Sequence, residues 1–215
     1  MTTACLVFAK PPRPGMVKTR LGARIGHERA AELAAAMLKD TWTLVSNVDG
    51  LSPILATTEP NAEHGLPLAD PWDQGEGDLG ARVERMLRRG IETHGRAFAI
   101  GADAPNIGPE VYRQALGTPV ADAVLGKSTD GGFYLLGLSR CEPGLLDDLP
   151  WSAPDTAAAT GGRLISRGYV VHDLPLGFDI DELADLRRFA REVPRTQAPA
   201  TFALLQRPSF REFLG

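Results

Sequence analysis

Residues 8–21, FAKPPRPGMVKTRL, carry four cations: Lys10, Arg13, Lys18 and Arg20. They leave an apolar run, Ala4–Ala9, through three prolines and a glycine. Prolines limit the freedom of the unbound loop, so less entropy is lost when a ligand orders it. Lys10, Lys18 and Arg20 suit charge-assisted hydrogen bonds to phosphate oxygens. The GxxxxGK[ST] spacing is missing, so this is not a Walker loop. A solvated basic turn is the plainer reading. The loop's origin at the end of a buried strand favours an anion site.

Carboxylates and glycines recur in four later segments. In QGEGDLGARV, residues 74–83, Gly77 and Gly80 flank Asp78. Glycine lets a backbone approach a ligand closely. Asp78 is equally a helix N-cap, and Arg82 is either a surface charge or a ligand contact. In IGADAPN, Asp103 falls just beyond a strand's carboxyl end, where parallel sheets bind ligands. It could hold a divalent metal that bridges phosphates, or it could satisfy turn amides. In KSTDGGFYLLGL, Asp130 opens an Asp-Gly-Gly hairpin signal and could also face a substrate as base or acceptor contact. In GFDIDELADL, Asp179 and Asp181 flank Ile180 and point the same way if the segment is extended. Asp181 also stands where a helix N-cap belongs. Either aspartate could share a metal with Asp103, because magnesium commonly takes one or two carboxylates plus phosphates.

These loops need a scaffold that brings strand ends together. Apolar runs predict strands over Cys5–Ala9, Pro53–Thr57, Ala97–Gly101, Ala123–Leu125, Phe133–Leu138 and Tyr169–His172. Helical spacing links Ala30, Leu33, Ala34, Met37, Leu38 and Val45, and then Leu79, Val83, Met86, Leu87 and Ile91. A third helix starts at Pro109, an alanine-rich fourth spans about 155–167, and a fifth starts near Asp181. Strands alternating with helices predict an α/β layer fold with a mostly parallel sheet.

Bulk properties narrow the function. The chain has 215 residues and a net charge of −4, so no broad nucleic-acid surface is expected. The two cysteines and four histidines show no metal-ligand spacing. No nucleophile elbow is present. No signal-peptide pattern and no apolar run of membrane-spanning length occur, so a cytoplasmic protein without a membrane span is expected.

In this order, the segments FAKPPRPGMVKTRL, GDLGAR, IGADAP, DGGFYLLGL and FDIDELADL resemble a bacterial subfamily of the glycosyltransferase-A (GT-A) superfamily. The resemblance runs from Phe8 to about Leu186. Wider relatives include guanylyltransferases that act on phospholactate and on molybdenum cofactor. The resemblance implies a single-domain nucleotide-diphospho-sugar transferase-like α/β fold over residues 1–194, its mixed sheet flanked by helices. Residues 195–215 are expected to form a helical tail packed on the same domain. It also implies donor phosphates at Lys10, Lys18 and Arg20, nucleotide near Gly80, and Mg2+ or Mn2+ at Asp103 with Asp181 or Asp179. The chain departs from the Asp-x-Asp motif of many such glycosyltransferases, having Asp103-Ala104-Pro105. Its first loop is also richer in proline than that of typical nucleotidyltransferases.

The expected function is metal-dependent transfer from a nucleotide or nucleotide-sugar donor to a small-molecule acceptor. Glycosyl transfer is the leading form, and nucleotidyl transfer to a phosphorylated acceptor is the alternative. A non-catalytic nucleotide-binding module would need no paired carboxylates.

Overall fold

The computed structural model describes residues 2–67, 70–119 and 123–215. Seven strands form one sheet: β1 (Thr3–Phe8), β2 (Leu51–Thr57), β3 (Trp72–Asp73), β4 (Ala97–Gly101), β5 (Ala123–Lys127), β6 (Phe133–Leu138) and β7 (Val171–Asp173). Their order is β3-β2-β1-β4-β6-β5-β7. β6 runs antiparallel to β4 and β5, and the other neighbouring pairs are parallel. The mostly parallel mixed sheet expected from the sequence is therefore present.

β1 reads as an unbroken apolar run because helices cover both its faces. Ala4 and Leu6 join one core with Met86 and Leu87 of α3 (Leu79–His94). Cys5 and Val7 join a second core with Leu38 and Val45 of α2 (His27–Ser46) and Tyr112 of α4 (Pro109–Gly117). α5 (Thr156–Ser166) adds Leu164 to the first core.

A third core lies beyond the sheet. It joins Leu21 and Ile25 of α1 (Thr19–Ile25), Leu33 and Met37 of α2, and Leu186 and Phe189 of α6 (Leu183–Glu192). Phe202 of α7 (Pro199–Leu205) and Phe210 of α8 (Pro208–Arg211) complete it. Phe189 and Phe202 stack with centroids 5.0 Å apart.

Two expectations need correction. Residues 19–21 are not loop but the first turn of α1, because Leu21 and Ile25, one turn apart, both bury in the third core. Asp181 is not an N-cap. Glu182 caps α6, in a capping box with Asp185, whose Oδ2 accepts from the Glu182 amide at 2.8 Å. The Asp181 carboxylate is thereby left for other work.

Candidate active site

One backbone hydrogen bond brings the acidic segments together. The Ile180 amide donates to the Asp103 carbonyl at 3.0 Å, which sets the 179–181 segment beside the end of β4. Ile180 and Phe178 anchor that segment in the third core. A parallel bridge between Ser128 and Gly177 ties it to the end of β5. Lys18 arrives from the other side, as the residue before α1, with φ 46° and ψ 46°.

There the three residues meet. Lys18 Nζ donates to Asp103 Oδ2 at 2.9 Å and to Asp181 Oδ1 at 2.6 Å. The Lys18 side chain is only 9% exposed, against 38% for Asp103 and 43% for Asp181. Burial alone would lower the Lys18 pKa, but the two carboxylates outweigh it and hold the ammonium well above its ordinary value. Burial likewise opposes ionisation of Asp103, and Lys18 overcomes that to hold the carboxyl below its usual range.

Asp179 behaves differently from Asp181. Its Oδ1 is buried with no hydrogen-bond partner. Burial, reinforced by the Asp103 and Asp130 carboxylates, pushes its pKa up to about 8 against the pull of Lys18 and Ser128.

The trio sits where two compartments join. The first, about 510 Å³, includes Lys10, Lys18 and Arg20, with Phe8 and Ala9 at the end of β1 and Ala34 and Met37 of α2. The second, about 630 Å³, includes Asp130, Asp179, Gly132, Phe133, Trp151 and Pro154. Arg20, Asp103, Ser152 and Asp181 line both. The cleft is therefore polarised across that shared boundary: Lys10 and Lys18 line only the first compartment, Asp130 and Asp179 only the second. Asp130 is both a turn residue, its Oδ1 accepting from the Gly132 amide at 2.9 Å, and a wall of the second compartment.

Other anticipated residues have local jobs. Asp78 caps α3 by accepting from the Ala81 amide at 2.9 Å. Arg82 donates to the Asp78 carbonyl at 3.1 Å and to Gln74 Oε1 at 3.4 Å. The space beside Gly80 is filled by Trp151, whose Cε2 would stand 2.9 Å from an added Cβ. Neither compartment is lined by Asp78, Gly80 or Arg82. Arg13 pairs with Glu59 at 2.7 Å.

Trp151 and Ser152 were not anticipated. Trp151 meets Phe133 edge-on at 5.9 Å in the wall of the second compartment. Ser152 lines both compartments with φ 59°, a strained value for a residue with a side chain. The signal was available in PWSAP, residues 150–154, an aromatic and a hydroxyl bracketed by prolines.

The residues fit a divalent cation in part. Among the described residues, no group of three or more His, Cys, Asp or Glu side chains is arranged to hold one. Asp103 and Asp181 nevertheless present hard oxygens to a shared cation, here the Lys18 ammonium. Magnesium needs no more than that when phosphates complete its shell.

The fold is nucleotide-diphospho-sugar transferase-like: a mostly parallel mixed seven-stranded sheet flanked by helices. A family model described as "Uncharacterized protein conserved in bacteria (DUF2064)" matches residues 53–153. The chain is 29% identical over 194 residues to a phosphoenolpyruvate guanylyltransferase from Nocardia farcinica (strain IFM 10152), covering 82% of this chain and 80% of that one. It superposes with TM-score 0.87 and 27% identity on a protein from Desulfovibrio desulfuricans G20 provisionally described as a nucleotide-diphospho-sugar transferase, covering 99% of each chain. Rv0371c from Mycobacterium tuberculosis H37Rv, solved as a complex with manganese, shares the fold at TM-score 0.51 and 18% identity, covering 89% of this chain and 100% of that one. These matches agree with the resemblance read from the sequence and with its transferase class. Among the described residues, no helix is long and apolar enough to cross a membrane.

Proposed function

We propose that the protein is a metal-assisted nucleotidyltransferase, joining the nucleotide of a nucleoside triphosphate to a small acceptor and releasing pyrophosphate. The observation that carries this is the polarised cleft. Lys10, Lys18 and Arg20 line the first compartment, which suits the charge of a triphosphate, while Asp103 and Asp181 stand at its boundary with the second. The acceptor enters beside Asp130, Trp151 and Phe133.

Magnesium or manganese held by Asp103 and Asp181 would neutralise phosphate charge at that boundary. The chain's own contribution is positioning. Lys10 and Arg20 hold the outer phosphates, which become the departing pyrophosphate. Asp130 faces the acceptor and orients it, so that an acceptor phosphate oxygen bonds to the α-phosphorus of the triphosphate as the bond to the departing pyrophosphate breaks. The guanylyltransferase relative supports this chemistry.

Glycosyl transfer is the second reading. Its support is the aromatic wall of Trp151 and Phe133, on which a sugar ring can stack. The experiment that separates the two incubates the protein with Mn2+, an acceptor panel including phosphoenolpyruvate, and either nucleoside triphosphates or nucleotide sugars. Acceptor-dependent pyrophosphate release is expected. Release of nucleoside diphosphate from a nucleotide sugar would install the second reading, and turnover of neither donor class would sink both.

A further inference from the structure

Lys18 is not placed as an open phosphate clamp. Its backbone adopts left-handed angles, φ 46° and ψ 46°, which are uncommon for a residue with a side chain. Its side chain is 9% exposed, and its ammonium bonds to both carboxylates at 2.9 and 2.6 Å. A cation already occupies the meeting point of Asp103 and Asp181, and it is part of the chain.

We propose that Lys18 is a tethered counter-ion that holds the metal position between Asp103 and Asp181 and gives it up only when donor phosphates arrive. This rests on the metal-assisted reading above. An ammonium and a divalent ion cannot both contact the same carboxylate oxygens without strong repulsion at that separation. Metal entry therefore ejects Lys18. An ejected ammonium in so buried a place needs a new anionic partner, because an unpaired buried charge is costly. Lys10 and Arg20, its cationic neighbours in the first compartment, cannot provide one. The diphosphate of a donor can. Metal and diphosphate then favour each other's binding, and by linkage the coupling is reciprocal. Metal arriving alone binds weakly.

Calorimetric titration of the full chain with Mn2+ alone tests this on the wild type, Lys18→Met and Lys18→Gly. Glycine accepts the left-handed backbone without strain, so that variant keeps the test alive if the methionine variant does not fold. Both variants are expected to bind Mn2+ roughly tenfold or more tighter than the wild type, since a competing cation has gone. Adding Asp181→Asn to Lys18→Gly should cancel the gain. Equal or weaker Mn2+ binding in the Lys18 variants would overturn the counter-ion role while leaving the metal site standing. Absence of Mn2+ binding in all of them, with or without inorganic pyrophosphate, would overturn the metal-assisted reading as well.

Discussion

The carboxylate of Asp103 folds back over Gly101, so that a Cβ added at Gly101 would stand 2.5 Å from Asp103 Oδ1. The glycine that ends β4 is what lets the aspartate turn toward Lys18. Gly101→Ala meets only the far end of a flexible side chain, so the fold yields at little cost and the melting temperature should move by only a few degrees. The carboxylate must shift, and a displacement of order ~1 Å in a catalytic constellation can cost about 100-fold. Mn2+-dependent transfer by Gly101→Ala is expected to fall by at least about tenfold. Full turnover with an unchanged melting temperature would show that the Asp103 position is not critical.

Asp179 makes stability depend on pH in the metal-free protein. Its folded pKa is raised to about 8, against about 3.9 for an ordinary aspartate. Between those values the unfolded chain has released this proton and the folded chain has kept it. Stability from this group is therefore full below about pH 4 and declines as pH rises toward 8. Asp179→Asn, which mimics the neutral form, should flatten that slope and be more stable than the wild type at alkaline pH. Urea midpoints across this range, without divalent metal, provide the check, and parallel curves for the two proteins would refute the assignment.

Asp40 fastens the C-terminal helices to α2. Its Oδ1 accepts from the Ala200 amide at 2.9 Å and its Oδ2 from the Thr201 amide at 2.7 Å, at the start of α7. The residue is 4% exposed, so the bonds are shielded from water. Asp40→Ala leaves one buried and one half-buried amide unpaired and should cost about 2–3 kcal/mol. Chemical denaturation measures the loss. Protease cleavage of residues 195–215 should also accelerate, and resistance equal to the wild type would show that hydrophobic packing alone holds the tail.

The sequence carried most of the sheet, because strands buried on both faces print as apolar runs. β4 and β6 match their expected bounds, and β1, β2, β5 and β7 shift at their ends. β3 was not legible, since two residues, Trp72 and Asp73, leave no periodicity. α1 was hidden by the prolines before it, although the Leu21–Ile25 spacing was there to read. The convergence of Lys18, Asp103 and Asp181 was readable because each lies in a segment expected beyond a strand or beside a helix start, at the carboxyl end of the sheet. What those residues do to one another was not. That Lys18 would be clamped by two carboxylates, and that Asp179 would differ from Asp181, depends on burial and on the Ile180–Asp103 hydrogen bond, which no local pattern encodes.

Gly80 offers a direct contest between two roles. As a nucleotide contact, suggested by GDLGAR, it would be needed on the donor side. In the structure it is a seat for Trp151, with Cε2 2.9 Å and the Leu146 carbonyl 3.0 Å from an added Cβ. The carbonyl belongs to buried backbone and cannot swing aside, so the indole must move. Gly80→Ala is expected to destabilise by about 1–3 kcal/mol, as overpacking does, and to shift the Trp151 contribution to fluorescence, read as the difference from Trp151→Phe. Trp151 lines the second compartment and not the first. The variant should therefore raise KM for the acceptor several-fold while leaving KM for the donor nearly unchanged. A rise confined to the donor KM would restore the nucleotide-contact role and would place the acceptor away from the Trp151 wall.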